Sequence, residues 1–311
     1  MKKAYRTAET RRTQRKRREA THSSMTTLTL AHSPDADDAF MFYALARERI
    51  DTEGLRFQHV LEDIETLNQR ARESTYDITA VSFHAYAYLH DRYALLRCGS
   101  SFGDGCGPIV VARVGARLEA SGLARSRVAV PGPLTTAALL LKLFAPKVET
   151  VPVRFDEIPA AVAEGKVAAG VLIHEGQLTF AGAGLEKVLD LGAWWAKETS
   201  LPVPLGGNAV RRELAPEHVA QIARVLERSI RYALDHRSEA LDYALQFGRG
   251  MSRELGDKFV GMYVNRWTLE AGPDGRRALQ LLLDRAFDAR LIPARMPVEL
   301  VPPLADKDGL R

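Results

Sequence analysis

From about residue 27 onward, short apolar runs alternate with amphipathic stretches along the chain. Residues 27–31 predict a strand, and His32-Ser33-Pro34 a loop after it. Asp35, Asp37 and Asp38 then open an amphipathic helix that runs to about Arg49. Met41, Ala44 and Leu45 fall at i, i+3 and i+4 on one face, and acids in a first turn suit the helix dipole. The alternation continues with strands at 57–61 and 76–81, helices at 64–73 and 82–89, a glycine-rich loop at 99–107 and a strand at 108–113. A second α/β unit follows: strands at 127–130, 148–155 and 169–173, with helices at 134–144 and 158–163 between them. Residues 185–191 lead to Trp194-Trp195, and 201–207, rich in Pro and Gly, read as a crossover back to the first unit. Helical periodicity fills the rest, at 219–235, 238–246, 252–263 and 275–289.

Strands alternating with helices predict an α/β protein with a mainly parallel sheet in each half. At 311 residues the chain is long enough for two domains with real cores. The expected division is a discontinuous first domain, 26–112 and 206–311, carrying the C-terminal helices, and a second domain, 113–205. Two chain crossings between them predict a hinged pair with a central interdomain cleft. Residues 1–25 are expected to be a disordered basic leader, or to precede a true start at Met25.

Charge changes this picture only at that end. Residues 1–24 hold nine Lys or Arg and two Glu; removing them from totals of 43 bases and 39 acids leaves the body at −3. The basic character belongs to the tail, so a nucleic-acid or membrane role would rest on the tail alone. No apolar run nears the roughly 20 residues of a membrane helix, and no apolar core of an export signal follows the basic residues. The expectation is a cytoplasmic protein without stable membrane insertion and without nucleic acid as a partner. Cys98 and Cys106 give neither metal spacing nor a disulfide framework, and are expected to be reduced, buried thiols.

Ligands of open α/β sheets bind beyond the C-terminal ends of strands, near helix N-termini. Polar residues cluster at four such ends: Ser33 to Asp38, Ser82 to His84, Pro131 to Thr136, and His174-Glu175. Two lie in each half, so facing sheets would aim all four at one cleft. Thr135 and Thr136 admit two readings, anion binding through hydroxyls and first-turn N–H groups, or plain N-capping. His174 closes an apolar strand, a good place for a general base, although a hydrogen-bonded structural histidine fits equally. Glu175 is a candidate to orient it, but neighbours in a strand point to opposite faces. His32 and His84 read better as packing or capping residues, and the three histidines have no metal spacing. Ser82 lacks a nucleophile elbow and reads as a ligand-binding hydroxyl or N-cap. Trp194-Trp195 reads as buried aromatic surface rather than a stacking platform.

The blocks Leu61-Glu62-Asp63-Ile64-Glu65-Thr66-Leu67-Asn68, Asp91-Arg92-Tyr93, Val130-Pro131-Gly132, Leu134-Thr135-Thr136-Ala137, Ile173-His174-Glu175 and Asp190-Leu191-Gly192-Ala193-Trp194-Trp195 resemble the 1,4-dihydroxy-6-naphthoate synthase family. They occur in family order from about residue 27 to 290. The resemblance implies a type II periplasmic-binding-protein-like fold used as an enzyme, a lyase of the futalosine route to menaquinone. It implies cyclic dehypoxanthinyl futalosine as substrate, and neither cofactor nor metal. His174 matches the family's catalytic histidine, and Ser82, Thr135 and Thr136 its ligand-binding hydroxyls; Asn68, Ser33, Asp37 and Asp38 are further candidates for substrate binding. One block departs: the family's Ser-Pro-Cys-Pro-Asn-Asp-Thr-Phe is here Ser33-Pro34-Asp35-Ala36-Asp37-Asp38-Ala39-Phe40. Extra carboxylates there would repel a bound carboxylate unless they turn to solvent or cap the helix. Competing functions are a chorismate dehydratase-like enzyme of the same pathway and a non-catalytic solute-binding protein for a small carboxylate.

Overall fold

The computed structural model describes residues 26–302; the expectations for residues 1–25 lie outside these. The strands, in chain order, are β1 (Thr26–His32), β2 (Leu55–Leu61), β3 (Ile78–Ser82), β4 (Tyr93–Leu96), β5 (Ser101–Gly103), β6 (Ile109–Arg113), β7 (Arg127–Val130), β8 (Glu149–Pro152), β9 (Ala169–Leu172), β10 (Leu185–Asp190), β11 (Val203–Arg211) and β12 (Leu300–Val301). They form two sheets. The first runs β12-β4-β11-β3-β1-β2, with β5 also on β11; the second runs β10-β6-β9-β7-β8.

Each sheet has a parallel core, β2-β1-β3 in one and β8-β7-β9 in the other. Each then takes one antiparallel strand beside its third parallel strand: β11 on β3, and β6 on β9. These are the strands by which the chain passes from one lobe to the other. Ile109–Arg113 therefore pairs in the second sheet, so the sequence-drawn boundary after residue 112 falls inside a strand. The segment 201–207 does cross back to the first lobe, and from Val203 it is already the strand β11. Pro204 has no N–H to give, yet it sits where β11 meets only the short β5, beside a bulge in that pairing. Gly206 is required there, since a Cβ would stand 2.9 Å from the Val81 carbonyl oxygen. Gly107 lets the other crossing pack, because a Cβ would stand 2.8 Å from Gly192 Cα.

Local chemistry explains most element ends. Asp63 accepts from the N–H groups of Glu65 and Thr66, each at 3.1 Å, and starts the helix Ile64–Arg72. The helix expected from Asp35 to Arg49 is two short pieces, Ala36–Met41 and Tyr43–Ala46. At the break the Ser229 hydroxyl donates to the Met41 carbonyl at 2.8 Å, taking an acceptor that a continuous helix would use. Met41, Ala44 and Leu45 are buried as the periodicity predicts. The C-terminal helices Pro216–Asp235, Arg237–Ala244 and Arg253–Tyr263 cover these pieces and one face of the first sheet. A second core links the lobes: Val81 and Leu95 of the first sheet, Val110 and Val128 of the second, and Leu139 and Leu282 from helices beside them. Trp195 lies in this core with its indole N–H on the Pro202 carbonyl at 3.1 Å, so the tryptophan pair packs the fold rather than a ligand. Cys98 is buried, and burial pushes its thiol up to about 12; Cys106 is only half-buried. Among the described residues no helix is long and apolar enough to cross a membrane.

Candidate active site

The loops after β1 and β3 in the first lobe face the loops after β7 and β9 in the second, and one cavity lies between them. Ser33, Asp37, Asp38, Ser82, Thr135, Thr136 and His174 all line it. Asn68 does not line it. Its fully buried amide clamps Ser82 from behind: Nδ2 donates to Ser82 Oγ at 3.1 Å, and Ser82 N–H donates to Oδ1 at 2.9 Å. Asn68 is thus a support for Ser82, and its expected direct contact with substrate is corrected. The Ser82 hydroxyl accepts one bond and keeps its own proton for a ligand.

The two threonines resolve toward capping. Thr135 Oγ1 donates to the Gly132 carbonyl at 2.8 Å and accepts from Ala138 N–H at 3.2 Å, the N-cap of the helix Thr136–Phe144. Thr136 Oγ1 donates to the Leu205 carbonyl at 2.6 Å and accepts from His84 N–H at 3.2 Å. Both hydroxyls are therefore engaged inside the protein. What this corner offers an anion is the first-turn N–H groups of Thr136 and Ala137 and the positive end of the helix.

His174 stands just past β9 with φ of 60°, in the left-handed region that a β-strand residue rarely enters. Phe155 meets its ring edge-on, with centroids 4.6 Å apart. Its partner is Asp35 of the first lobe, at 2.9 Å from Nδ1 to Oδ2. A carboxylate only accepts, so Nδ1 carries a proton, and in the neutral form of the ring the lone pair stands on Nε2. Glu175, the sequence candidate for this duty, turns away to Arg249 at 2.9 Å. Arg249 also donates to the Pro34 carbonyl at 3.2 Å and lies over the Phe155 ring. Two more contacts tie the lobes: Tyr263 O–H donates to Gln177 Oε1 at 2.7 Å, and Leu134 N–H donates to Glu65 Oε2 at 3.1 Å.

The three acids of the loop are shifted in different directions. Burial would raise Asp35, but the His174 imidazole beside it holds its carboxyl below the usual range. Burial pushes Asp37 and Asp38 well up, and the Asp35 carboxylate pushes them further. None of the three turns to solvent. Asp35 caps the helix Ala36–Met41 through Asp38 N–H at 3.4 Å, Asp38 accepts from Ser33 N–H at 2.8 Å, and Asp37 has an Oδ1 with no partner.

His32 and His84 pack and bond within the protein. His32 contacts His59 at 3.1 Å and Phe42, and burial followed by the His59 charge drives it to about 4. His84 is lowered by burial and bonds the Thr135 carbonyl at 3.3 Å. Among the described residues no group of three metal-binding side chains is found. Sequence reasoning missed Asp35 as a partner for His174, and missed Gln177, Arg249 and Tyr263. Only Gln177, three residues past His174, had a signal within its own segment.

The family described as menaquinone biosynthesis matches residues 28–288 of this chain. A 1,4-dihydroxy-6-naphtoate synthase of Thermus thermophilus is 43% identical over 273 residues, 88% of this chain and 98% of that protein. One of Streptomyces coelicolor is 37% identical over 289 residues, 90% and 100%. A solved protein of Archaeoglobus fulgidus superposes with a TM-score of 0.81 at 46% identity, over 87% of this chain and 100% of that one. A Candida albicans protein with the generic periplasmic binding protein fold superposes with a TM-score of 0.65 at 12% identity, over 90% and 99%, a likeness of fold alone.

Proposed function

We propose that this chain, which belongs to the menaquinone biosynthesis family, is a carbon–carbon lyase that converts cyclic dehypoxanthinyl futalosine to 1,4-dihydroxy-6-naphthoate. The observation that carries the reading is a histidine, His174, set in a cleft between lobes with its Nδ1 proton fixed by a carboxylate. Nε2 of His174 takes the proton of a hydroxyl on the sugar-derived ring. Collapse of the alkoxide breaks the neighbouring carbon–carbon bond in a retro-aldol sense and frees a three-carbon fragment, and aromatisation of the naphthoate draws the reaction forward. The Thr136 and Ala137 N–H groups bind the substrate carboxylate, and the Ser82 hydroxyl holds a second polar group. Burial opposes ionisation of Asp37 and Asp38, and the Asp35 carboxylate faces His174 rather than the helix N-terminus that receives the substrate carboxylate. The partner is a small molecule, and the setting is the cytoplasm, where a biosynthetic enzyme meets its substrate. The two-lobe division, with crossings just before β6 and β11, supports a hinged cleft that shuts water out during the reaction.

The test replaces His174 with Ala and follows turnover of cyclic dehypoxanthinyl futalosine. A positioned base contributes about 10²–10⁴-fold, so the variant should lose that much in kcat while still binding substrate. Turnover within a few-fold of wild type would remove His174 from the chemistry.

A further inference from the structure

We infer that Asp35 is a positioning residue for His174, and that the pair is assembled across the cleft only when the two lobes come together. The inference rests on the reading of His174 as the base. Asp35 follows β1 in the first lobe and His174 follows β9 in the second, so their 2.9 Å contact exists only with the cleft shut. Both side chains are largely enclosed, at 4% and 12% exposure for Asp35 and His174. At that distance the carboxylate fixes both the tautomer and the tilt of the ring.

The geometry around the contact is built to hold it. Behind Asp35, its helix-capping bond to Asp38 N–H fixes the backbone side. Behind His174, the Phe155 edge limits rotation. Beside the pair, Arg249 joins Glu175, the residue after His174, to the carbonyl of Pro34, the residue before Asp35. Two adjacent residues of one lobe are thus tied to two adjacent residues of the other. The charged and titratable groups facing the pair are His32, Asp37 and Asp38 from the first lobe, Glu175 from the second, and Arg249 from the turn before the helix Arg253–Tyr263. Arg249 engages Glu175 through Oε1, and Asp35 is the carboxylate that meets the imidazole. With the lobes apart, His174 loses the Asp35 carboxylate that fixes its Nδ1–H. Proton abstraction is thereby restricted to the enclosed state.

The experiment compares wild type with Asp35→Asn, Asp35→Ser, His174→Ala and the double variant Asp35→Asn/His174→Ala, all assayed on cyclic dehypoxanthinyl futalosine. Asn and Ser both keep the helix cap, so the loop should hold its shape. Asp35→Asn and Asp35→Ser are each expected to lower kcat on the order of 10²-fold, with KM within about 3-fold, because a mis-set base loses rate rather than binding. The double variant should be no slower than His174→Ala alone, since Asp35 acts only through the imidazole. Proton NMR of the ¹⁵N-histidine-labelled protein with bound naphthoate should show a downfield Nδ1–H signal that Asp35→Asn removes. Asp35→Asn within about 3-fold of wild type, with His174→Ala inactive, would overturn the positioning role and leave the base standing. A double variant slower than His174→Ala by more than about 10-fold would overturn it too, by giving Asp35 a separate duty. An active His174→Ala would sink the base itself, and this role with it.

Discussion

The two lobes share one strand order and differ in what they carry. In the first sheet the order β2-β1-β3-β11-β4 matches β8-β7-β9-β6-β10 in the second, strand for strand in role and direction. The loops after the first and third parallel strands of each lobe are therefore equivalent positions aimed at one cleft. The first lobe places carboxyls and a clamped hydroxyl there: Asp35, Asp37, Asp38 and Ser82. The second places a helix N-terminus and an imidazole, at Thr136 and His174. The scaffold supplies four aimed positions, and the groups that stand at them decide where a proton is taken and where negative charge is received. A solute-binding protein and a lyase can share such a frame, because the frame sets only where the groups stand.

Variants in each lobe sharpen this contrast, beginning with the largest effect. Asn68→Ala in the first lobe leaves Ser82 N–H buried without its acceptor. It should cost about 1–3 kcal/mol of stability and lower kcat/KM by about 10-fold as Ser82 drifts, read by denaturant melts and initial rates. Arg249→Ala frees the lobes at their rim. The Arg249–Glu175 pair is partly exposed, so about 1 kcal/mol is at stake. The expected outcome is a KM raised by up to about 5-fold with kcat little changed.

The smallest effect is a pH dependence. Asp37 keeps its proton in the folded protein well above the range where the unfolded chain loses it. Stability from Asp37 is therefore complete below the ordinary Asp value and is lost as pH rises through its folded value. Asp35 runs the other way: its carboxyl is held low, so its contribution is present above the ordinary value and lost as pH falls through the folded one. Asp37→Asn should thus melt above wild type at pH 7 and no higher at pH 3, checked by calorimetry at both values. An equal shift at the two pH values would mean that Asp37 is ionised in the fold.

His174 was legible because it ends a continuous apolar run, and the residue at the end of a buried strand has a known place in an α/β sheet. Ser82 and the Thr135-Thr136 pair were legible for the same reason. The direction of their hydroxyls was not, since capping and ligand binding use the same residues at the same helix start. The Asp35–His174 contact joins separate lobes, and no periodicity encodes it. The acids of that loop read as surplus charge in sequence; burial and the neighbouring carboxylates in the fold push Asp37 and Asp38 toward their protonated forms. In the fold, Tyr93–Leu96 passed unnoticed as a strand because four apolar residues carry no period, and Val203–Arg211 was hidden by Pro204, Gly206 and Gly207.

The central claim is catalysis in the cleft, and incubation of the purified full-length protein with cyclic dehypoxanthinyl futalosine, followed by mass-resolved chromatography, tests it most directly. The expected result is 1,4-dihydroxy-6-naphthoate together with one equivalent of a three-carbon fragment, formed over many turnovers. Substrate that binds and is recovered unchanged would contradict the account and make the chain a binding protein on an enzyme family's frame.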